Sequence, residues 1–302
     1  MKYTVEEIGR RMDALGLWKD LDRYNWALKP SGCAFPYFCT VVHGDQAVVK
    51  ERFVLLEGWQ TLHDFVRVRA DNNFGVYSAP MELPHFELVF SVNGDLHLFR
   101  DDPGFVPVEV KDASRRDFVA KLLWEAYGVM MRIEMDRKLP LKFADDRAMF
   151  ARVEGKDGKW SDQPLAIPDP PPYVEKVSFD KATIKAAQDL PMAATDVWEL
   201  DFRMLVGVMT RDPRPKCVYE LVAVDIATPT VRMMDCRVSL TGDCGLRELW
   251  EGMPAKVLKE FVRLGRVPGE IRVKSGRVFR FLRPLCMELP FKLSIHDKLS
   301  SI

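Results

Sequence analysis

The stretch VWELDFRMLVGVM, residues 197–209, decides how the second half of this 302-residue chain folds. Its first residues alternate between apolar and polar side chains, which is the pattern of a strand with one buried face. Two more β-rich stretches follow at residues 217–226 and 230–239, each introduced by a turn that contains proline. The spacing predicts an antiparallel meander of three strands.

Helices and strands alternate after this meander. A helix is predicted over residues 245–264, interrupted or kinked by Gly252 and Pro254. The order then continues as a strand over residues 270–274, a helix over residues 277–289 and a closing strand over residues 291–295.

The first half has the pattern of an α+β region. Its clearest signal is the dipeptide Asn93-Gly94 between two apolar stretches, which predicts a hairpin closed by a type I′ turn. An amphipathic helix opens the chain, and a longer one is predicted from about residue 114 to 135. We expect a mixed sheet with helices packed on one face of it. Further strands are predicted over residues 35–42, 47–56 and 105–110, and a further helix over residues 59–69.

Glycines and prolines separate the two halves. They cluster between residues 154 and 196, where the run DPPPY at residues 169–173 favours extended backbone. One short helix is predicted inside this segment, near residues 180–189, because several alanines precede Pro191. The chain is therefore predicted to hold an N-terminal α+β domain over residues 1–153, a linker over 154–196 and an α/β domain over 197–302.

Composition indicates a folded protein and excludes some classes of partner. Charged residues make up 29% and aromatic residues 11%, and the net charge is zero, so no overall field attracts nucleic acid or a membrane surface. The opening helix has no apolar signal-peptide centre, and no stretch is apolar enough to span a bilayer. The six cysteines lack metal-ligand spacing. These features predict a cytoplasmic protein with free thiols and no membrane partner.

The second half resembles the ribonuclease H-like superfamily, in particular the integrase and transposase cores. Residues 197–202 (VWELDF) are similar to the family's first strand, with Asp201 at the position of its catalytic aspartate, and residues 221–228 (LVAVDIAT) to its second strand and turn. The family's later strand ends in Asp-Asn-Gly, whereas residues 270–279 read EIRVKSGRVF, so Lys274 replaces that aspartate. The whole chain also resembles bacterial proteins of unknown function that join an N-terminal α/β region to such a domain.

The resemblance raises the question of two-metal phosphodiester cleavage. That reaction needs two or three carboxylates that converge on a pair of divalent cations. Asp201 is the first catalytic candidate, and Glu248 or Glu251 on the following helix is the second. A lysine at position 274 would repel the metal, so we expect a degenerate domain without a cofactor. Mg²⁺ or Mn²⁺ would be a cofactor only in the alternative interpretation, an active metal-dependent enzyme. In the other interpretation, Asp201 is an ordinary polar residue of the strand and has no catalytic role.

Basic residues crowd the segment from Arg263 to Arg283, which contains the single acid Glu270. Arranged on one face, such residues would hold phosphates through charge-assisted hydrogen bonds. No glycine-rich loop or aromatic platform accompanies them, which favours a solvated helix face or a patch that docks the acidic first half. The candidate phosphate-binding residues are Arg272, Lys274, Arg277 and Arg280.

The histidines do not suggest a metal centre. His85 and His97 flank the predicted hairpin, where we expect them to face each other, but two histidines without a third ligand do not define a site. No metal-ligating residue is therefore predicted. Cys33 and Cys39 have the character of small buried residues.

The leading interpretation is a non-catalytic intracellular binding or scaffold module with a degenerate ribonuclease H-like domain. Its expected partner is another macromolecule, a protein in preference to a nucleic acid. Two alternatives stay open: a divalent-metal nuclease or phosphotransferase that uses Asp201, and a nucleic-acid-binding protein that uses the basic segment.

Overall fold

The computed structural model describes residues 3–44, 47–70, 84–143, 145, 147–170, 176–227, 230–238 and 245–302. The chain has an α/β fold, as its sequence predicts. It divides into two compact units. The first unit comprises Met1–Val66, Leu83–Asp102 and Pro107–Pro171, and the second unit comprises Arg67–Glu82, Pro103–Val106 and Pro172–Ile302.

An eight-stranded sheet forms the centre of the first unit. Its strands are β1 (Trp26–Lys29), β2 (Tyr37–His43), β3 (Val49–Glu57), β4 (His85–Ser91), β5 (Leu96–Asp101), β6 (Val108–Glu109), β7 (Ala148–Glu154) and β8 (Trp160–Ala166). Their order in the sheet is β6-β5-β4-β3-β2-β1-β7-β8. β1 and β7 are parallel, and the other neighbouring strands are antiparallel. The α-helices up to β7 are α1 (Val5–Leu15), α2 (Trp18–Leu21), α3 (Gly58–Ala70) and α4 (Ala113–Met135).

The core of the first unit lies between one face of this sheet and helices α1, α2 and α4. α1 begins with a capping box in which Thr4 and Glu7 satisfy each other's backbone N–H groups. α4 presents an apolar stripe at helical spacing, which confirms the amphipathic pattern of the sequence. The buried residues of the stripe are Val119, Ala120, Leu122, Leu123, Ala126, Val129, Met130 and Ile133.

The opposite face of the sheet is covered as well, so the expectation of helices on one face was wrong. In β2, Phe38 alternates with the core residues Tyr37 and Cys39, and all three are buried. The ring of Phe38 lies 4.6 Å from that of Trp59 at the start of α3. A strand with apolar residues on both faces needs cover on both.

A five-stranded sheet forms the centre of the second unit. The elements of this unit are α5 (Lys181–Gln188), β9 (Met192–Met209), β10 (Cys217–Asp225), β11 (Thr230–Val238), α6 (Gly245–Leu264), β12 (Val267–Val273), α7 (Gly276–Glu288) and β13 (Lys292–Ile295). The strand order in the sheet is β11-β10-β9-β12-β13. β9, β10 and β11 form the predicted antiparallel meander, while β12 runs parallel to both β9 and β13. The predicted element order is confirmed.

Some boundaries differ from those that the sequence suggests. Residues 160–166, inside the predicted linker, form β8, which pairs with β7. β9 begins at Met192 rather than at residue 197, because Met192 pairs with Val267 of β12. α6 stays continuous through Pro254. The limits 1–153, 154–196 and 197–302 stay a prediction.

Alternation along β9 assigns its residues to two faces of the sheet. Trp198, Leu200 and Phe202 lie in the core of the second unit, against residues of α6 and α7. The residues between them, including Asp201, must therefore point to the opposite face. This assignment determines which charged groups meet.

Gly269 marks an irregular point in the β12–β9 register and supplies a stability test. A Cβ atom at Gly269 would lie 2.8 Å from the carbonyl carbon of Ala194, whereas one at Gly252 in α6 would meet nothing within 4 Å. We expect Gly269→Ala to destabilise the protein by about 1–3 kcal/mol, because backbone atoms must move. Gly252→Ala is the control and should be neutral or stabilising by up to about 1 kcal/mol. Urea denaturation of both variants measures the difference, and equal stabilities would contradict this packing.

Candidate functional site

Asp201 lies in the middle of β9 with basic neighbours. It pairs with Val222 of β10, and the residue before it, Leu200, pairs with Val273 of β12. Lys274 directly follows Val273, so the end of β12 brings a lysine close to Asp201. Burial raises the pKa of Asp201 above its ordinary value, against the opposing charges of Arg203 and Lys274. The carboxyl group therefore sits in a half-buried place that disfavours its charged form.

The other catalytic candidates are not grouped with Asp201. Glu248 is exposed on α6, and Glu251 accepts a 2.9 Å hydrogen bond from Arg247 on the same helix. α6 packs on the face of β9 opposite to that of Asp201. Among the residues that the structure describes, the groups of three or more possible metal ligands do not include Asp201, Glu248 or Glu251.

Acids and bases pair along the face of the second sheet that carries Asp201; we call it the charged sheet face. Arg203 contacts Glu220 at 3.1 Å across β9 and β10. Arg272 contacts Glu270 at 3.3 Å, and Lys292 approaches the same carboxylate at 3.3 Å. These pairs cancel much of the local charge.

Glu270 is the centre of this pairing. The hydroxyl of Ser294 donates a 2.7 Å hydrogen bond to Glu270, and this bond, with the contacts to Arg272 and Lys292, lowers the pKa of Glu270 to about 2. The carboxylate thus stays charged at neutral pH and neutralises Arg272.

The predicted phosphate-binding residues lie in different environments. Arg277 is buried, with its guanidinium 4.1 Å from the centre of the Trp250 ring, which is a cation–π contact inside the core. Arg272 is paired with Glu270, Lys274 is exposed at the end of β12, and Arg280 is partly exposed on α7. The four side chains do not form one basic surface. Two other bases of the segment pair with acids, Arg263 with Glu260 and Arg266 with Asp196.

The hairpin of the first unit holds a polar cluster that the sequence did not reveal. His85 pairs with Asp101, and His97 pairs with Val89, so the two histidines do not face each other as expected. His85 lies at the end of β4 far from the turn, whereas His97 lies close to the turn on β5, so antiparallel pairing around this turn cannot bring them opposite each other. The turn also differs from the prediction, because three residues close it between Ser91 and Asp95, where a type I′ turn would use two.

His85, Glu87 and Asp101 meet on one face of this hairpin. We call them the hairpin triad. The Nε2 atom of His85 lies 3.0 Å from Oε1 of Glu87 and 3.8 Å from Oδ2 of Asp101. Their side chains are 4%, 10% and 13% exposed, so the three groups interact with little screening by water. The spacing of His85 and Glu87, two residues apart in a predicted strand, was visible in the sequence. The contribution of Asp101 could be found only from the observed pairing of β4 with β5.

Burial affects the two carboxyl groups of the triad differently. It raises the pKa of Asp101 to about 7. Burial also acts to raise the pKa of Glu87, but the hydrogen bond and charge of His85, with the charge of Arg52, outweigh it and leave that pKa below its ordinary value. Two neighbouring acids with separated pKa values are typical of functional sites and also occur in structural networks.

Comparison with known proteins characterises only the second unit. Residues 183–302 are similar to a domain of unknown function, DUF6930, and the match covers less than half of the chain. No curated protein and no solved structure matches the chain. Of the helices in the described ranges, none has the length and apolar character needed to cross a membrane.

The depressed pKa of Glu270 predicts a pH-dependent contribution to stability. Its pKa is about 2 in the folded chain and 4.5 for an unperturbed glutamate, so its contribution is complete above about pH 4.5 and is lost as the pH falls towards 2. We expect Glu270→Gln to lower the free energy of unfolding at pH 7 and to approach the original protein at low pH. Urea denaturation across this range measures the effect.

Glu248→Gln is the matched control, because Glu248 is exposed on α6. It should change stability little at any pH. A stability difference for Glu270→Gln that stays constant between pH 7 and pH 2.5 would show that Glu270 does not titrate as described.

Proposed function

We propose that the second unit is a ribonuclease H-like module that binds another macromolecule and does not cleave phosphodiesters. Its antiparallel meander, followed by helix, strand, helix and strand, is the element order that the resemblance implies. A fold alone does not define an activity, so both the binding of a macromolecule and the absence of cleavage need evidence from specific residues.

The observation that carries the proposal is the lysine beside Asp201. In the family that the sequence resembles, the later strand ends in a second catalytic acid next to the first strand. Here the register of β12 with β9 brings Lys274 to that position. A cation there opposes the binding of divalent metal ions and offers no oxygen ligand. The half-buried site of Asp201, which raises its pKa, adds to the cost of the charged form that a metal requires.

The charge pairing favours a protein partner over a nucleic acid. Nucleic-acid interfaces use bases that are free to replace the counterions of phosphates. On the charged sheet face, Arg203 and Arg272 are paired with Glu220 and Glu270, and Arg277 is buried in the core. Protein interfaces tolerate such balanced polar surfaces, especially at the rim.

The absence of cleavage is tested with the full-length protein, Mg²⁺ or Mn²⁺, and single- and double-stranded DNA and RNA. We expect no cleavage above background. Asp201→Asn should be neutral or stabilising at pH 7, because the raised pKa of Asp201 means that burial penalises its charged form once the pH exceeds the unfolded value. Asp297→Asn, at an exposed position, is the control.

Cleavage that requires the metal, disappears in Asp201→Asn and persists in Asp297→Asn would overturn the proposal. A loss of stability in Asp201→Asn alone would instead contradict the electrostatic description of this residue.

Nucleic-acid binding is tested separately by titrating mixed DNA and RNA at low salt. We expect no binding that depends steeply on salt. If the basic segment did hold phosphates, Lys274→Ala and Arg280→Ala would each reduce the slope of log K against log salt by up to about 0.9. Arg263→Ala is the control, since Arg263 is paired with Glu260. A steep slope that these first two variants flatten would favour the nucleic-acid alternative.

A further inference from the structure

We propose that the hairpin triad, His85, Glu87 and Asp101, binds one divalent transition-metal ion. Each residue offers one ligand atom, and these atoms all lie within 4.8 Å of one another. The site lies in the first unit, outside residues 183–302, and is independent of the function proposed for the second unit.

The hairpin holds the three ligands on rigid backbone. His85 and Glu87 are two residues apart in β4 and so share a face of the sheet. Asp101 enters the same face from β5 because it pairs directly with His85. β4 lies inside the sheet, between β3 and β5. Ligands on paired strands are positioned more precisely than ligands on loops.

The spacing of the ligand atoms fits a small metal ion. Ligand atoms about 2.1 Å from a tetrahedral metal are separated from each other by about 3.4 Å. The two distances from Nε2 of His85, 3.0 Å to Glu87 and 3.8 Å to Asp101, lie on either side of this value. The ligand atoms of Glu87 and Asp101 also lie within 4.8 Å of each other.

The chemistry of the three ligands selects the class of metal. One imidazole with two carboxylates suits Zn²⁺, Mn²⁺ or Fe²⁺, whereas Mg²⁺ and Ca²⁺ prefer oxygen ligands alone. Three protein ligands leave at least one position for water, which is the pattern of metal sites that perform chemistry. Asp101, with 13% of its side chain exposed, is the most accessible of the three.

The charges around the triad determine how strongly a cation can bind. Two carboxylates with little exposure are costly to bury unless positive charge compensates them. Arg52, itself buried on β3, acts electrostatically on both carboxylates, and so does the charge of His85. The negative charge of Asp102 is offset by Arg100, which contacts it at 3.2 Å. A divalent ion would therefore replace the proton that charges His85, and the charge of Arg52 will lower its affinity.

Direct metal titration tests this proposal. The full-length protein, stripped with a chelator, is titrated with Zn²⁺ in competition with a chromophoric indicator. We expect one ion per chain. Both His85→Ala and Asp101→Asn should weaken binding by more than about tenfold, since losing even an outer partner of a metal ligand costs that much. His97→Ala is the matched control on the same hairpin, because His97 faces Val89 and should leave the affinity unchanged.

Cobalt substitution identifies the ligands independently. Co²⁺ at the triad should show ligand-field absorption without a thiolate charge-transfer band, and Asp101→Asn should remove that absorption while the circular dichroism stays unchanged. Asp101→Asn preserves the shape of the side chain, so it decides the test even if His85→Ala does not fold. The proposal is overturned by the absence of stoichiometric binding, by equal affinities in Asp101→Asn and His97→Ala, or by a thiolate band, which would place the metal on cysteines. The first outcome would leave His85 as a buried hydrogen-bond partner of Glu87 that also approaches Asp101.

Discussion

The parallel register between β9 and β12 is the constraint on which the second unit depends. With Val273 opposite Leu200, Lys274, the residue that follows β12, must lie beside Asp201. The same register places Arg272 and Glu270 on the charged sheet face, where they pair. A shift of one residue would turn these charged groups into the core and bring Ile271 and Val273 to the surface, so the apolar core enforces the electrostatic pattern.

Strand register also determines which charged groups meet in the hairpin of the first unit, but the groups that it brings together differ. Its loop of three residues sets the register, and the register brings Asp101 opposite His85. In the second unit the register brings bases to acids, and the charges cancel. In the hairpin it brings a second acid to a histidine that already contacts Glu87, so two carboxyl groups share one imidazole in a place with little water.

Local patterns were enough to predict much of the fold. The meander, the order of later elements and the amphipathic α4 follow from the spacing of apolar residues, which is a property of short stretches. The lysine that follows β12 was also visible, because the strand and the residue after it are adjacent in sequence. β8 was missed because its residues, WSDQPLA, combine three polar side chains with a proline, and its pairing with β7 supplies the order that composition does not.

Properties that depend on pairing between distant residues were beyond such reasoning. Arg277 belongs to a run of bases in the sequence, yet Trp250 from another helix receives its guanidinium in the core. Glu270, the single acid in that run, holds Arg272 with help from Ser294 on a neighbouring strand. Trp250 lies 27 residues from Arg277 along the chain, and Ser294 lies 24 residues from Glu270, so only the packing of whole elements defines these two contacts.

The two units differ in how their buried carboxyl groups are compensated. Reactive sites need charged or polar groups whose compensation is incomplete, because a fully paired group gains little from a ligand. On the charged sheet face, Glu220 and Glu270 already have basic partners. In the hairpin triad, His85 and the charge of Arg52 face two carboxyl groups, yet burial still raises the pKa of Asp101 to about 7. The familiar element order of the second unit therefore draws attention away from the hairpin, where burial outweighs the nearby positive charges at one carboxyl group.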